Sequence, residues 1–180
     1  MNAAEQGKLL QWARRAIEHA VRGEKLPVTP PAELTSEICA PHAAFVTLKK
    51  RGELRGCIGK MDFARPLWEN VVSAAVLSAL EDPRFEPVKL EELTELQLEI
   101  SVLEPPVDLA RVEDFDPERH GIIIEKGTRH ALLLPKVAQE NGWDARNVLE
   151  TVCWKAGLPV DAWRERDVRL QVFTATDFAE

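Results

Sequence analysis

A thiol, a guanidinium and two glycines lie within residues 55–59, which read RGCIG. This segment is predicted to belong to a β-strand, in which successive side chains point to opposite faces. Arg55 and Cys57 are therefore expected on one face, where the guanidinium would stabilise the thiolate, the nucleophilic form of cysteine. Gly56 and Gly59 leave room for a ligand or another backbone to approach closely. The segment is the strongest candidate for a functional site.

Two interpretations of Cys57 follow from the residues alone. Free cysteine often serves as a small buried hydrophobic side chain, and glycines in strands often mark only bulges or turns. The second interpretation is a nucleophile or thiol donor, which needs a base. Of the four histidines, His120 is the preferred partner of Cys57. Each histidine also fits an ordinary structural or solvent-facing role.

Three further side chains are candidates for binding a ligand near this segment. Arg84 lies in the sequence DPRF, residues 82–85, and is expected either to pair with a carboxylate or to bind an anion. Glu99 and Ser101 share one face of a predicted strand. They are expected either to face water or to line a pocket as an acid and a hydrogen-bond donor.

Motifs for metals and cofactors are absent from the sequence. Cys39 and His42 have the spacing of half a zinc site, but no second pair at ligand spacing appears. The chain contains no GxxxxGK[ST], GxGxxG, HExxH or GxSxG. We therefore predict no metal and no cofactor, and nucleotide-dependent, zincin-type and serine-hydrolase mechanisms lose their usual support.

The overall composition limits the possible partners and locations. The chain has 180 residues, of which 45% are hydrophobic and 29% charged, as expected for one domain or one domain with two lobes. A net charge of −7 disfavours a nucleic-acid partner. Three widely spaced cysteines without a CxxC pair argue against disulfides. Because neither a signal-peptide pattern nor an apolar run of about 18 residues is present, we predict a cytoplasmic protein with no membrane partner.

Hydrophobic periodicity and turn residues predict the order α-ββ-α-β-ββ-αα-β. Hairpins with few βα alternations favour an α+β fold, a mostly antiparallel sheet packed with helices. Helices are predicted up to Gly23 and at three later places, and an irregular loop from Pro27 to about Pro41. Pro105-Pro106 is the predicted seam between two lobes of a single domain. The predicted strands and later helices are 44–48, 54–58, 66–81, 96–102, 121–125, 131–134, 135–141, 144–156 and 168–172.

The hexapeptide LRGCIG at residues 54–59 resembles the central motif of the AMMECR-type domain family. Bacterial and archaeal members of this family are called protein A of the AmmeMemoRadiSam system. The resemblance covers nearly the whole chain, with two departures: Ala131 replaces a usual glycine, and Lys136 a usual glutamine. The other matching segments are 45–48, 82–85, 92–93, 100–103, 119–121, 132–135, 155–159 and 162–163.

This resemblance implies an α+β fold with a larger and a smaller lobe around a cleft near LRGCIG. It supplies no reaction, because the family has no established activity. The system's name implies that prokaryotic members accompany a Memo-like protein and a radical-SAM protein. Two functions are therefore expected: a cysteine-dependent enzyme in a pathway with those proteins, or a non-catalytic binding or adaptor module. The module would dock a partner protein or a small anionic ligand at the LRGCIG cleft.

Overall fold

The computed structural model describes residues 1–25 and 34–180, which divide into two compact units. The first unit comprises Met1–Leu103 and Thr176–Glu180, and the second comprises Glu104–Ala175. The boundary lies next to the predicted seam at Pro105-Pro106. The prediction did not include the return of the last residues to the first unit. Residues 27–33 of the loop predicted from Pro27 to about Pro41 fall outside the described residues, and the described remainder contains a short helix, Ser36–Cys39, where an irregular loop was predicted.

The described part of the chain contains five α-helices and eight strands. A 3-10 segment, Leu90–Glu95, precedes the third long strand of the first unit. In chain order the helices and strands are α1 Ala3–Val21, α2 Ser36–Cys39, β1 Ala43–Lys50, β2 Glu53–Lys60, α3 Leu67–Leu80, β3 Leu96–Leu103, β4 Val107–Asp108, β5 Gly121–Lys126, β6 Arg129–Leu133, α4 Pro135–Asn141, α5 Ala145–Lys155, β7 Arg169–Phe173 and β8 Ala175–Ala179.

The first unit is a four-stranded sheet in the order β2-β1-β3-β8, with β1 antiparallel to both β2 and β3. Alternate residues of β1 and β3 are fully or almost fully buried and join one hydrophobic core with the apolar residues of α1 and α3. This alternation gives the sheet one apolar face and one polar face. The core-facing residues of the two strands are Ala44, Val46, Leu48, Leu96, Leu98, Ile100 and Val102.

The second unit is a four-stranded sheet in the order β4-β7-β5-β6, all antiparallel, with its own hydrophobic core. Helix α5 begins at Ala145 because the Asp144 carboxylate accepts a hydrogen bond from the Asn147 amide, and the Asn147 side-chain oxygen accepts one from the Asp144 amide. Helix α4 begins with Pro135, which is favoured at a first helical position. Both starts agree with the sequence prediction.

The predicted α+β class is confirmed, and two details of the prediction are wrong. The strands form two sheets rather than one. The short elements α2, β4 and β8 were not predicted. Helix α2 has four residues and β4 has two, too few for a periodic pattern to appear in the sequence. Strand β8 is ATDFA, in which only Phe178 is a large apolar residue.

Helix α3 approaches β2 so closely that residue 56 must be glycine. A Cβ atom at this position would lie 2.1 Å from the Ser78 carbonyl oxygen. The Ser78 hydroxyl accepts a hydrogen bond from the Ile58 amide and donates one to the Val46 carbonyl, both at 2.8 Å. Gly56 therefore allows the backbone of α3 to approach β2 closely. Close approach of a ligand or of another backbone were the two explanations considered for this glycine, and the structure shows the second.

We predict that Gly56→Ala lowers the free energy of unfolding by about 2–3 kcal/mol, because the added methyl group overpacks the contact with α3. Gly7→Ala is the control: Gly7 lies on the exposed face of α1, and a Cβ there meets nothing within 4 Å. It should raise the free energy of unfolding by about 0.5–1 kcal/mol. Urea denaturation of both variants measures the difference. Equal effects of the two substitutions would contradict the close approach of α3.

Candidate functional site

Cys57 lies in the middle of β2, which is an edge strand of the first sheet. Its backbone groups are bound by side chains from the segment that follows α3. The Cys57 amide donates to Asp82 Oδ2 at 2.8 Å, and its carbonyl accepts from Arg84 Nη2 at 3.1 Å. These bonds satisfy groups that an edge strand otherwise exposes. The position of the thiol is thereby fixed from outside the sheet.

Asp82 and Arg84 form a tight ion pair with each other. Arg84 Nε donates to Asp82 Oδ1 at 2.9 Å and Nη2 to Oδ2 at 2.7 Å. The Asp82 side chain is 2% exposed, and the hydrogen bond from Arg84 lowers the pKa of its carboxyl group to about 2. The Arg84 side chain is half exposed and lies against the Phe85 ring. Of the two alternatives for Arg84, the structure therefore contains the carboxylate pair, while one side of the guanidinium stays open to solvent.

A β-bulge at Arg55 overturns the alternation expected for β2. Lys49 pairs with Leu54, but Leu48 pairs with Gly56, so Arg55 is the extra residue without an opposite partner. The alternation of side chains between the two faces of the sheet is therefore interrupted at the bulge and starts again after it. Leu54 consequently shares a face with Lys49, and Ile58 lies on the opposite face, contrary to the prediction that both point the same way.

The guanidinium of Arg55 is bound to Glu92 rather than directed at the thiol. Arg55 Nε and Nη2 donate to the two carboxylate oxygens of Glu92 at 3.1 and 2.9 Å. Glu92 also accepts from Lys50 Nζ and from the Lys89 amide, both at 3.0 Å. The pKa of Glu92 falls to about 2, chiefly through the hydrogen bond from Arg55. Arg55 was expected to stabilise a Cys57 thiolate. The Glu92 carboxylate bound to the Arg55 guanidinium opposes that effect, because its negative charge offsets the positive charge of the arginine.

The cation that lies beside Cys57 is Arg84. Its guanidinium binds the carbonyl of Cys57, and the pKa of Arg84 is raised mainly by the hydrogen bond to Asp82. Attraction to the charge of a Cys57 thiolate adds to that increase as a smaller contribution. The sequence prediction named both arginines but expected Arg55, not Arg84, to be the cation beside Cys57.

The thiol of Cys57 lies opposite Thr47 on the polar face of the first sheet. Cys57 is half-buried, and its Sγ lies 3.2 Å from Thr47 Oγ1. On the same strand, Gly59 lies under the ring of Phe45, which a Cβ at residue 59 would meet at 2.3 Å. Thr47 was not predicted as a site residue, and only the precise register of the hairpin could have indicated it.

Glu99 and Ser101 lie on the polar face of β3, as predicted, and both have polar partners. Glu99 accepts from Lys49 Nζ at 3.0 Å. Ser101 donates to Asp177 Oδ1 at 2.5 Å and is 1% exposed. Ser101 therefore does not face water. The ligand-binding roles of Glu99 and Ser101 stay predictions.

His120 belongs to the second unit. Its Nδ1 accepts a hydrogen bond from the Asp116 amide at 3.3 Å, and its ring stacks on Phe115 with 6.5 Å between centroids. These contacts give His120 a structural role in its own unit. Its pairing with Cys57 stays a prediction.

The described residues contain no cluster of three or more histidine, cysteine, aspartate or glutamate side chains that could hold a metal ion. Cys39 is an exposed free thiol at the end of α2. Within residues 1–25 and 34–180, no helix has the length and apolar character needed to cross a membrane.

These two sheet-and-helix units define the chain as an α+β protein with a half-buried thiol on an edge strand. Residues 10–178 match the AMMECR1 family model. Protein PH0010 of Pyrococcus horikoshii is 42% identical, and the match covers 96% of this chain and 88% of that protein. Protein MK0488 of Methanopyrus kandleri is 43% identical, with coverages of 98% and 89%. The crystal structure of the uncharacterized Pyrococcus horikoshii protein has a TM-score of 0.94 at 40% identity and covers 100% of this chain and 93% of that chain.

The chain therefore belongs to the AMMECR1 family, as its LRGCIG and DPRF segments indicated. Because the Pyrococcus horikoshii relative of known structure is itself uncharacterized, the family identifies the fold and supplies no reaction.

We predict that Glu92→Gln lowers the free energy of unfolding at pH 7 by about 2–3 kcal/mol, because the partly buried Arg55 loses its carboxylate. The folded-state pKa of Glu92 is about 2, below the ordinary value of roughly 4.3. The stabilisation is therefore fully present above about pH 5 and is lost as the pH falls towards 2. Denaturant titrations between pH 7 and pH 2.5 should show the wild-type and variant curves converging at low pH.

Glu91→Gln is the matched control, since Glu91 lies beside Glu92 in the same 3-10 segment and is exposed. Its free energy of unfolding at pH 7 should stay within about 0.5 kcal/mol of the wild-type value. A constant gap between wild type and Glu92→Gln across the whole pH range would show that the carboxylate charge contributes nothing.

Proposed function

We propose that this protein is a cysteine-dependent enzyme in which Cys57 is the nucleophile or thiol donor. The observation that carries the proposal is the Cys57 sulfur, half-buried and 3.2 Å from the Thr47 hydroxyl, on a strand whose backbone is bound by Asp82 and Arg84. A nucleophile held in one position needs less rearrangement to reach its target atom. In the proposed step, the Cys57 thiolate displaces a leaving group from an electrophilic atom of a small substrate: the bond from sulfur to that atom forms, the bond to the leaving group breaks, and the leaving group departs with the bonding electron pair.

Arg84 is the proposed contact for an anionic group of the substrate. Its guanidinium is oriented by Asp82 and by the Cys57 carbonyl, and it is half exposed. Glu99 and Ser101 are proposed to line the same polar face. Gly56 and Gly59 would contribute by keeping β2 close to its neighbours.

The proposed pathway context is a Memo-like protein and a radical-SAM protein acting with this chain. The support for it is the family resemblance, through the association that the system's name expresses. We further propose a cytoplasmic location, where cysteines such as these three free thiols stay reduced.

We predict that iodoacetamide near pH 7 alkylates Cys57 faster than a free peptide thiol and roughly threefold or more faster than Cys39. Cys39 is an exposed thiol in the same chain and serves as the internal reference, whereas Cys153 is buried. Site-resolved mass spectrometry of the folded protein measures all three rates in one sample. A Cys57 rate no higher than that of the peptide thiol would end the enzyme proposal.

The Arg84 contact is tested by comparing iodoacetate with iodoacetamide, which differ in charge. Arg84→Gln should lower the iodoacetate rate relative to the iodoacetamide rate by about twofold, the effect of losing one partly exposed charge. Arg51→Gln is the control, because Arg51 is an exposed arginine at the hairpin turn, where it pairs with Glu95. An unchanged ratio in Arg84→Gln would remove Arg84 from the proposed substrate contact.

A second candidate function is a binding or adaptor module that forms no covalent bond. The observation favouring it is that the charged side chains nearest Cys57 neutralise each other in the pairs Arg55–Glu92 and Arg84–Asp82. A recess of about 410 Å³ beside the β1–β2 turn is lined by Lys50, Arg51, Glu53, Leu54 and Arg55. Its three cations are paired with Glu92 or Glu95, and the largely exposed Arg51 is the one proposed to contact a small anionic ligand or an acidic segment of a partner.

For this candidate, we predict that the purified chain retains the Memo-like or the radical-SAM protein in a pull-down, or that an anionic metabolite raises its Tm. Ligand binding to the folded state stabilises it by mass action, which makes Tm a direct measure. Arg51→Glu reverses one charge of the recess and should weaken the interaction. Retention of neither protein, together with an unchanged Tm for every anion tried, would exclude the module.

A further inference from the structure

Thr47 occupies a position in β1 where it can act directly on the Cys57 sulfur. The two residues are opposite each other in the antiparallel ladder. Because Cys57 directs its amide and carbonyl to Asp82 and Arg84, this is a non-hydrogen-bonded pair, the kind in which opposing side chains approach most closely. The 3.2 Å distance between Thr47 Oγ1 and Cys57 Sγ follows from that geometry.

The Thr47 hydroxyl is buried, since the residue is 5% exposed. Among the described residues, Cys57 Sγ is the hydrogen-bond partner found for this hydroxyl. A buried hydroxyl left without a partner costs free energy, so its hydrogen is expected to point at the sulfur. A hydroxyl is also a stronger donor than a thiol. The preferred bond therefore runs from Thr47 to Cys57, and it strengthens when the sulfur is ionised.

We infer that Thr47 is a positioning residue for Cys57, whose hydroxyl stabilises the thiolate and holds it in one orientation on the polar face of the sheet. This inference rests on the proposed function, because it assigns the group that supports the same thiol. Thr47 adds a hydrogen-bond donor to the cation Arg84 beside Cys57, whereas the guanidinium of Arg55 is bound to Glu92.

The inference is tested by the pH dependence of Cys57 alkylation with iodoacetamide in wild type, Thr47→Val and Thr47→Ser. Valine has nearly the shape of threonine but no hydroxyl, whereas serine keeps the hydroxyl and loses the methyl group. In Thr47→Val the alkylation profile should move up by about one pH unit, so that the rate at pH 7 falls about tenfold. Thr47→Ser should keep the rate within about threefold of wild type.

The alkylation rate of Cys57 reaches a plateau at high pH. This plateau rate distinguishes stabilisation of the thiolate by Thr47 from a change in how easily the reagent reaches the sulfur. At the plateau all of the Cys57 sulfur is thiolate, so the plateau rate reports how easily the reagent reaches it. The inference requires that Thr47→Val moves the profile while its plateau rate stays close to that of wild type. A lower plateau without a shift, an unmoved profile or a shift to lower pH would overturn it. Urea denaturation of each variant establishes that the compared proteins are folded.

The same data distinguish the two levels of the proposal. If wild-type Cys57 reacts no faster than a peptide thiol, the proposed enzyme function fails. If wild-type Cys57 reacts fast and Thr47→Val matches its profile, only the role of Thr47 fails. Cys39, alkylated in the same samples, should give one profile in all three proteins because it lies in α2, outside the sheet.

Discussion

The amide and carbonyl of Cys57 bind the carboxylate of Asp82 and the guanidinium of Arg84, and the arrangement around the thiol depends on this clamp. An edge strand exposes a row of unpaired backbone groups that can recruit another strand. Here an ion pair takes the place of that strand at the central residue of β2. The register makes Cys57 and Thr47 a non-hydrogen-bonded pair, so the Cys57 amide and carbonyl point away from β1 towards the clamp, and the thiol and hydroxyl lie close together. Closure of the edge and orientation of the sulfur thus have one cause.

A second ion pair, Arg55–Glu92, attaches the 3-10 segment to the same strand. Its side chains are 15% and 13% exposed, so it is more strongly coupled than an ordinary surface pair. The Phe85 ring lies close to both guanidinium groups, with its centroid 6.0 Å from that of Arg55 and 5.5 Å from that of Arg84. Both arginines are held by a carboxylate and by this ring. The DPRF segment is therefore a structural support for LRGCIG, which explains why the two motifs belong together.

Sequence reasoning located most elements because their signals are local. The capping box at Asp144, the proline at the start of α4 and the alternation in β3 each act within a few residues. The register of β2 is not local in this sense. A simple two-residue turn at Arg51-Gly52 would place Thr47 opposite Gly56, and the extra residue at the bulge shifts it to Cys57. Gly56 is compatible with a bulge, but a glycine in a strand does not show whether a bulge forms or which residue is the extra one.

The surroundings of Cys57 differ in one respect from those predicted by strand alternation. Strand alternation predicted Arg55 as the cation beside Cys57, but the structure has Arg84 there, since a bulge redirects the side chain at the extra residue. Arg84 is two residues from Asp82 in sequence but contacts Cys57 through the tertiary fold, so spacing alone could not reveal it. Partners such as Glu92 and Thr47 likewise come from other elements. Residue types predicted a candidate site around Cys57, and the tertiary structure shows which side chains contact one another there.

The three cysteines show why packing alone does not account for Cys57. Cys153 is fully buried in the second hydrophobic core, and this burial raises the pKa of its thiol, as expected for a cysteine used as a small apolar side chain. Cys57 has a hydroxyl as its neighbour, lies on the polar face of its sheet and is only half-buried. The proposal of a nucleophile depends on this contrast, because the reactivity of a thiolate is the property of cysteine that alanine, valine and serine lack.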